Sequence, residues 1–185
     1  MSSHDSPAWS TAVLDFWFGE LEPRDWFMRS DALDDAIRSR FLAIHERVVA
    51  TNAREAVGAS PALAAVIVLD QFSRNMFRND PRAFAADPLA RQLASQAIDA
   101  GFDIQVSPAQ RLFFYLPFEH SESLEDQARS VALISSLTDK NLTRYARAHQ
   151  SLIERFGRFP HRNAVLGQES TAAELEALKG PMASF

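Results

Sequence analysis

The chain has 185 residues, no cysteine and a formal net charge of −5 at pH 7. This length is typical of one compact domain, so we predict a single helical domain over residues 1–185. The absence of cysteine excludes disulfides, thiolate metal ligands and a cysteine nucleophile, and the acidic balance argues against nucleic-acid binding. The longest strictly apolar run, residues 62–69, is too short to cross a membrane. The N-terminal residues also lack the basic region of a signal peptide. We therefore expect a cytoplasmic protein without a membrane partner.

The pattern of the chain is helical throughout. Ser–Pro and Asp–Pro pairs at 6–7, 60–61, 87–88 and 107–108 predict helix starts, because serine or aspartate caps the first N–H groups and proline needs no hydrogen bond there. Short connections favour antiparallel neighbours, so we predict an all-α fold of about eight to nine helices stacked as helical hairpins. The predicted helices are residues 8–18, 31–53, 61–77, 88–100, 108–120, 123–137, 140–156, 161–166 and 171–179.

The first polar motif, residues 69–79, reads LDQFSRNMFRN. Its helix is apolar nearly all round from residue 62 to residue 69, which predicts a central and buried position. Asp70 and Arg74 extend the apolar stripe with the spacing of one helical turn. Charges on a buried helix must be paired or must face a wet cavity. The motif is therefore either an internal Asp70–Arg74 ion pair or one wall of a polar pocket.

The second motif, residues 113–122, reads FFYLPFEHSE. Pro117 is predicted to kink or end its helix, which leaves backbone carbonyls free beside Glu119 and His120. A histidine between two carboxylates, here Glu119 and Glu122, tends to titrate near neutral pH and is able to shuttle protons. The alternative is purely structural: Ser121 or a neighbouring serine caps the next helix, whose first turn favours acids.

The third motif, residues 156–163, reads FGRFPHRN. Gly157 is predicted to end one helix, and Pro160 to open a short one with His161 and Arg162 in its first turn. Positive side chains at the N-terminus of a helix form a corner that suits an anion. The alternative is a turn that faces solvent and carries a surface histidine.

Other candidate features are weaker. His45 and His149 lie within predicted helices, where most single histidines have no chemical role. The aromatic residues at 14–18 and 26–27 are typical of core packing. No metal motif, phosphate-binding loop, dinucleotide fingerprint or nucleophile elbow is present, so we expect neither a metal nor a cofactor.

These segments resemble a bacterial family, the domain of unknown function 924. The resemblance spans nearly the whole chain. It rests on LDFWFG at 14–19, LDQFSRN at 69–75, FFYLPFEHSE at 113–122, RSVAL at 129–133, FGRFPHRN at 156–163 and LGQEST at 166–171. It implies a helical fold similar to tetratricopeptide repeats, and it marks the polar motifs without implying an activity. The chain departs from the family pattern at Gln168, often arginine, and at Asn79–Asp80, where glycine is common.

Three hypotheses from different classes follow. The preferred one is a binding module in which arginines hold a small anionic molecule or the carboxylate of a peptide. The second is a hydrolase or acid–base enzyme that uses His120 or His161 as general base. The third is a structural polar network in a protein that acts through a protein partner; the oligomeric state stays open. The candidate catalytic residues are Asp70, Glu119, His120, Glu122 and His161, and the candidate ligand-binding residues are Gln71, Arg74, Asn75, Arg78, Ser121, Arg162 and Asn163.

Overall fold

The computed structural model describes residues 6–180, which form helices and turns without a β-strand. The prediction of an all-α fold is confirmed, and most helix boundaries lie within a few residues of those expected. In chain order the helices are α1 Ala8–Asp15, α2 Asp31–Ala50, α3 Ala59–Ile67, α4 Asp87–Asp99, α5 Pro108–Glu119, α6 Leu124–Ser135, α7 Lys140–Phe156 and α8 Ala172–Ala177.

Two of the helices continue with a wider, π-helical turn. α1 runs on through Phe16–Glu20, and α3 runs on through Val68–Phe72 to a last α-helical turn at Ser73–Met76. Both π-helical turns fall in motifs that begin with Leu-Asp, at residues 14–15 and 69–70. Such turns are uncommon and are often found at functional sites.

The helix predicted at 161–166 is shorter than expected. It is a single 3₁₀ turn, Pro160–Arg162, in which the N–H groups of Arg162 and Asn163 bond three residues back to Phe159 and Pro160. The chain then turns and starts no further helix before α8. Further 3₁₀ turns lie at Asp25–Phe27 and Asp103–Gln105, and a single α-helical turn lies at Arg82–Ala85.

The predicted caps are only partly correct. Ser107 caps α5, because its hydroxyl accepts the Gln110 N–H at 3.3 Å while the Gln110 side chain accepts the Ser107 N–H at 3.0 Å. Ser60 lies inside α3, whose cap is Gly58, and α4 starts after Ala86 without a capping side chain. The side chain of Asp87 is used elsewhere, as described below.

The described residues divide into two compact units. The first comprises residues 6–78 and 82–117, and α3 is its central helix, packed against α1, α2 and α4. Residues 62–69 are at most 1% exposed, as the apolar run predicts. The aromatic motif of α1 is core: the Trp17 ring contacts those of Phe72 and Phe113 at centroid distances of 5.4 and 5.7 Å.

The second unit comprises residues 79–81 and 118–180, with α6 packed on α7. Gly157 ends α7 with a φ of 71°, the left-handed conformation that glycine adopts without steric cost. Buried Ile134 and Ile153 come from the two packed helices. The likeness to tetratricopeptide repeats and the single domain stay predictions.

Candidate functional site

In the first unit, Arg74 is surrounded by carboxylates. Its guanidinium lies 3.2 Å from Asp70 Oδ1 and donates to both oxygens of Asp87 at 3.0 Å. Gln71 completes the group by donating to Asp70 Oδ2 at 2.6 Å. The Asp70–Arg74 pair is therefore present, as one of the two alternatives requires, and Asp87 extends it.

Arg78 and Asn75 hold the start of α2. Arg78 donates to both carboxylate oxygens of Asp34, with Nη2 2.7 Å from Oδ1, and Asn75 Nδ2 donates to Oδ1 at 2.8 Å. Burial acts to raise the pKa of Asp34, but the hydrogen bonds from Arg78 and Asn75 outweigh it and hold that pKa below its usual value. These two predicted ligand-binding residues thus have structural partners within the protein.

A buried histidine–serine pair also lies in the first unit. His45 Nε2 is 2.9 Å from Ser73 Oγ, which donates to the Leu69 carbonyl at 2.7 Å. A nucleophile paired with a base has similar geometry. However, Ser73 is fully buried, and His45 Nδ1 has no hydrogen-bond partner among the described residues. No carboxylate therefore orients the ring, and the pair packs α2 on α3 rather than reaching a substrate.

The second unit gathers what we call the histidine cluster: Glu119, His120, His149, His161 and Arg162. The buried Phe159 ring is its centre, with the His149 and His161 rings at centroid distances of 5.6 and 5.5 Å and the Arg162 guanidinium carbon at 4.6 Å. The His120 ring lies 6.2 Å from the His149 ring. His120 and His161 are partly exposed, whereas Glu119, His149 and Arg162 are buried.

The end of α5 positions Glu119 and His120 in this cluster. α5 includes Pro117 and ends two residues later, close to the predicted break. Gln127 of α6 donates to the carbonyls of Glu119 and Ser121, each at 2.6 Å, and Arg162 donates to the His120 carbonyl at 2.9 Å. These donors satisfy the helix-terminal carbonyls that would otherwise be left unpaired.

His149 is the buried histidine of the cluster. Its Nδ1 lies 3.0 Å from the Tyr145 carbonyl and 3.3 Å from Glu119 Oε1. Because a carbonyl oxygen only accepts, Nδ1 carries the proton and Nε2 carries the lone pair. Burial lowers the pKa of His149 to about 3, with smaller contributions from His120, His161 and Arg162. His149 is therefore neutral at pH 7.

The remaining predicted residues fix turns around the cluster. Ser121 Oγ donates to Asp126 at 2.6 Å, and Glu122 accepts the Phe159 N–H at 2.9 Å. Asn163 Nδ2 donates to Ser170 at 3.0 Å, whereas its buried Oδ1 has no hydrogen-bond partner among the described residues. The structure thus places Glu119, His120, His161 and Arg162 together, and gives Ser121, Glu122 and Asn163 supporting contacts.

Sequence reasoning missed three members of these groups. Asp87 and Asp34 meet their arginines across 13 and 44 residues of sequence, and no local pattern marks such contacts. His149 did carry a signal, because it shares the buried stripe of α7 with Ala146 and Ile153. Among residues 6–180, no three histidine, aspartate or glutamate side chains are arranged to hold a metal ion, and no helix has the length and apolarity needed to span a membrane.

The fold and the two polar groups define an all-helical protein with paired arginine–aspartate motifs and a histidine cluster. The chain belongs to a family of bacterial proteins of unknown function, DUF924, whose sequence pattern matches residues 13–182. This confirms the resemblance. The chain is also similar to the solved structure of a protein of unknown function, ATU0120 from Agrobacterium tumefaciens. The two are 39% identical with a TM-score of 0.90, over 95% of this chain and 100% of the other. No curated protein matches the chain.

Proposed function

We propose that the protein binds a small anionic molecule, a carboxylate or a phosphate, at the histidine cluster. The observation that supports this is the packing of the His149 and His161 imidazoles and the Arg162 guanidinium around Phe159, with the His120 ring beside His149. His120 and His161 are partly exposed. A guanidinium presents a planar fork of donors that matches carboxylate and phosphate oxygens, and imidazoles add further donors.

The sequence predicts three ligand-binding arginines, Arg74, Arg78 and Arg162. The present proposal assigns the anion to Arg162. Arg74 and Arg78 each use two or more nitrogens on carboxylates of the protein. To bind at Arg74 or Arg78, an external anion would have to displace the aspartates. The ion pairs already offset the free-energy cost of removing those aspartates from water. Arg162 donates to the His120 carbonyl and lies over the Phe159 ring, in a cluster that contains three imidazoles as further donors together with the carboxylate of Glu119.

The test is titration calorimetry with inorganic phosphate, acetate and citrate at pH 6 and pH 8. Removing a charge-assisted hydrogen bond by Arg162→Gln should weaken binding about tenfold or more. The matched control is Arg155→Gln, since Arg155 is exposed on α7 and lies outside the cluster. Arg162 also supports the His120 carbonyl, so His161→Ala serves as a second variant. Binding that both variants leave unchanged, or no binding of any of the three anions, would refute the proposal.

A second candidate function, hydrolysis of an anionic ester, is favoured by the contact between Glu119 and His149. The Tyr145 carbonyl at 3.0 Å, with the Glu119 carboxylate 3.3 Å from the same nitrogen, fixes the tautomer in which Nε2 is the basic nitrogen, as a general base requires. Nε2 would take a proton from water as the water oxygen attacks phosphorus. The bond to the alcohol then breaks, and the alcohol leaves with the returned proton. Burial is the main cause of the low pKa of His149, so His149 would act as a base only where a bound anion stabilises the imidazolium.

The activity is tested with p-nitrophenyl phosphate. His149→Gln should abolish turnover while anion binding persists, because Arg162 and His161 are retained. His45→Gln is the control, since His45 is also buried in a helix and its pKa is also lowered by burial. Turnover that survives His149→Gln, or an enzyme that shows none at all, removes this second candidate and leaves the binding proposal intact.

A further inference from the structure

We propose that the first unit carries a binding groove for an extended acidic peptide, formed by residues outside the histidine cluster. A cavity of about 390 Å³ lies between the loop that follows α2 and one face of α4. Its lining includes Asn52, Ala53, Arg54, Gln92, Leu93 and Gln96. The volume is in the range of small-ligand pockets, about 300 to 1,000 Å³, and suffices for a few side chains rather than a large cofactor.

The loop side of the groove has an unusual backbone. α2 ends with the Ala53 N–H bonded to Val48 O at 2.8 Å and the Asn52 N–H bonded to Val49 O at 3.0 Å. This is the pattern that glycine usually completes. Here Asn52 and Ala53 both have positive φ, 48° and 54°. Two consecutive left-handed residues other than glycine are sterically costly, and such strain is found where a loop is shaped for binding.

The polar side chains of the groove are free to bind a ligand. The amides of Asn52, Gln92 and Gln96 and the guanidinium of Arg54 are exposed, and none makes a side-chain hydrogen bond or ion pair with another described residue. They differ in this from Arg74 and Arg78, which are held by aspartates. Three amides and one guanidinium thus surround an apolar floor that includes buried Ala53 and Leu93.

The spacing of the glutamines fits an extended peptide. Gln92 and Gln96 are four residues apart on α4, which separates them by about 6 Å along the helix axis. Alternate residues of an extended chain are about 6.6 Å apart, so each amide is able to face one peptide group on the same side of the ligand. A primary amide donates and accepts at once, as a peptide group does. The planar donors of the Arg54 guanidinium suit an acidic side chain of the peptide. The apolar floor of the groove suits an apolar side chain.

The experiment uses the full chain and a fluorescein-labelled hexapeptide in which one leucine is flanked by aspartates. Fluorescence anisotropy should show saturable binding, and Arg54→Gln and Gln96→Ala should each weaken it about fivefold to tenfold. Arg29→Gln and Gln105→Ala are the matched controls, because both side chains are exposed and neither lines the groove. A peptide with lysines in place of the aspartates should bind at least about fivefold more weakly.

Nuclear magnetic resonance localises the binding. The peptide should shift the side-chain amide signals of Gln92 and Gln96, and methylation of the peptide nitrogens beside the leucine should remove the shift. The proposal is overturned if the acidic peptide does not bind, or if binding is equal in the groove and control variants. It is also overturned if free aspartate or self-association of the protein produces the same shifts without peptide.

Discussion

Arg74, Arg78 and Arg38 each use more than one guanidinium nitrogen on a single partner residue. Arg74 and Arg78 bind the two oxygens of a carboxylate, and Arg38 donates twice to the Met76 carbonyl at the end of α3, at 3.0 and 2.6 Å. Lysine offers one compact ammonium and cannot reproduce this planar fork. The chain has 17 arginines and two lysines, and contacts of this kind give a physical reason for arginine at these positions.

We therefore predict that Arg74→Lys destabilises the protein by about 1 to 3 kcal/mol. A single ammonium cannot donate to both oxygens of Asp87 in the planar geometry that the guanidinium uses, and Asp70 and Asp87 are buried. Arg29→Lys, an exposed exchange of the same kind, should change the free energy of unfolding by less than about 0.5 kcal/mol. Urea denaturation measures both values. Equal, small effects would mean that the ion pairs of Arg74 contribute nothing specific to stability.

Single residues also show which contacts a sequence is able to predict. The Asp70–Arg74 pair follows from helical spacing, since both partners lie on one turn. Asp87 and Asp34 depend on where other helices pack, which no local pattern contains. Asn79 has a φ of 63°, a left-handed conformation that glycine adopts freely and that asparagine tolerates better than most other residues. The expectation of a turn at this position, where glycine would be suited, therefore agrees with its backbone conformation.

At the scale of elements, the α-helices were predictable and their irregular parts were not. Apolar periodicity and proline positions locate the helices, but they assume 3.6 residues per turn throughout. The π-helical turns at Phe16–Glu20 and Val68–Phe72 break that period. The second of them carries Asp70 and Gln71, so the geometry of the first polar group depends on the part of α3 that periodicity does not describe.

The C-terminal helix α8 is fastened by one bidentate ion pair. Arg158 Nε and Nη2 lie 2.7 and 2.9 Å from the two Glu174 oxygens, and Glu174 also accepts the Thr171 N–H at 2.7 Å. The hydrogen bond from Arg158, followed by that from Thr171, lowers the pKa of Glu174 to about 2. The ionised form of Glu174, rather than its protonated form, therefore makes the contacts that hold α8 in place.

We predict that α8 loosens in acid. Because the folded pKa of Glu174 lies below its usual value near 4.5, the stabilisation is complete above pH 4.5 and is lost as the pH falls toward 2. Carboxyl-carbon chemical shifts measure the pKa, and hydrogen exchange of residues 172–177 follows the helix. In the Glu174→Gln variant, the amide hydrogens of α8 should exchange faster than in the parent protein already at pH 7. Glu176→Gln is the control, because Glu176 is exposed and pairs with exposed Lys179. A Glu174 pKa near 4.5 would contradict the prediction.

At the scale of the whole molecule, the length of the sequence predicts one domain, whereas the described residues form two compact units. The division falls inside α5, between Pro117 and Phe118, so one continuous helix contributes residues to each unit. The second unit has about 70 residues, and a unit of that size buries a smaller fraction of its surface than the whole chain does. The single domain that the length of the sequence predicts therefore stays a prediction.

We predict a single cooperative unfolding transition. All three tryptophans, Trp9, Trp17 and Trp26, belong to the first unit, so their fluorescence follows that unit alone, while far-ultraviolet circular dichroism follows the helices of both. Coincident urea transitions by the two probes are expected for one domain. Tyr145→Trp adds a probe on α7 in the second unit, where the side chain is 47% exposed, and should report the same midpoint. A second transition, seen by circular dichroism and by this variant but not by the native tryptophans, would instead establish two independently folding domains.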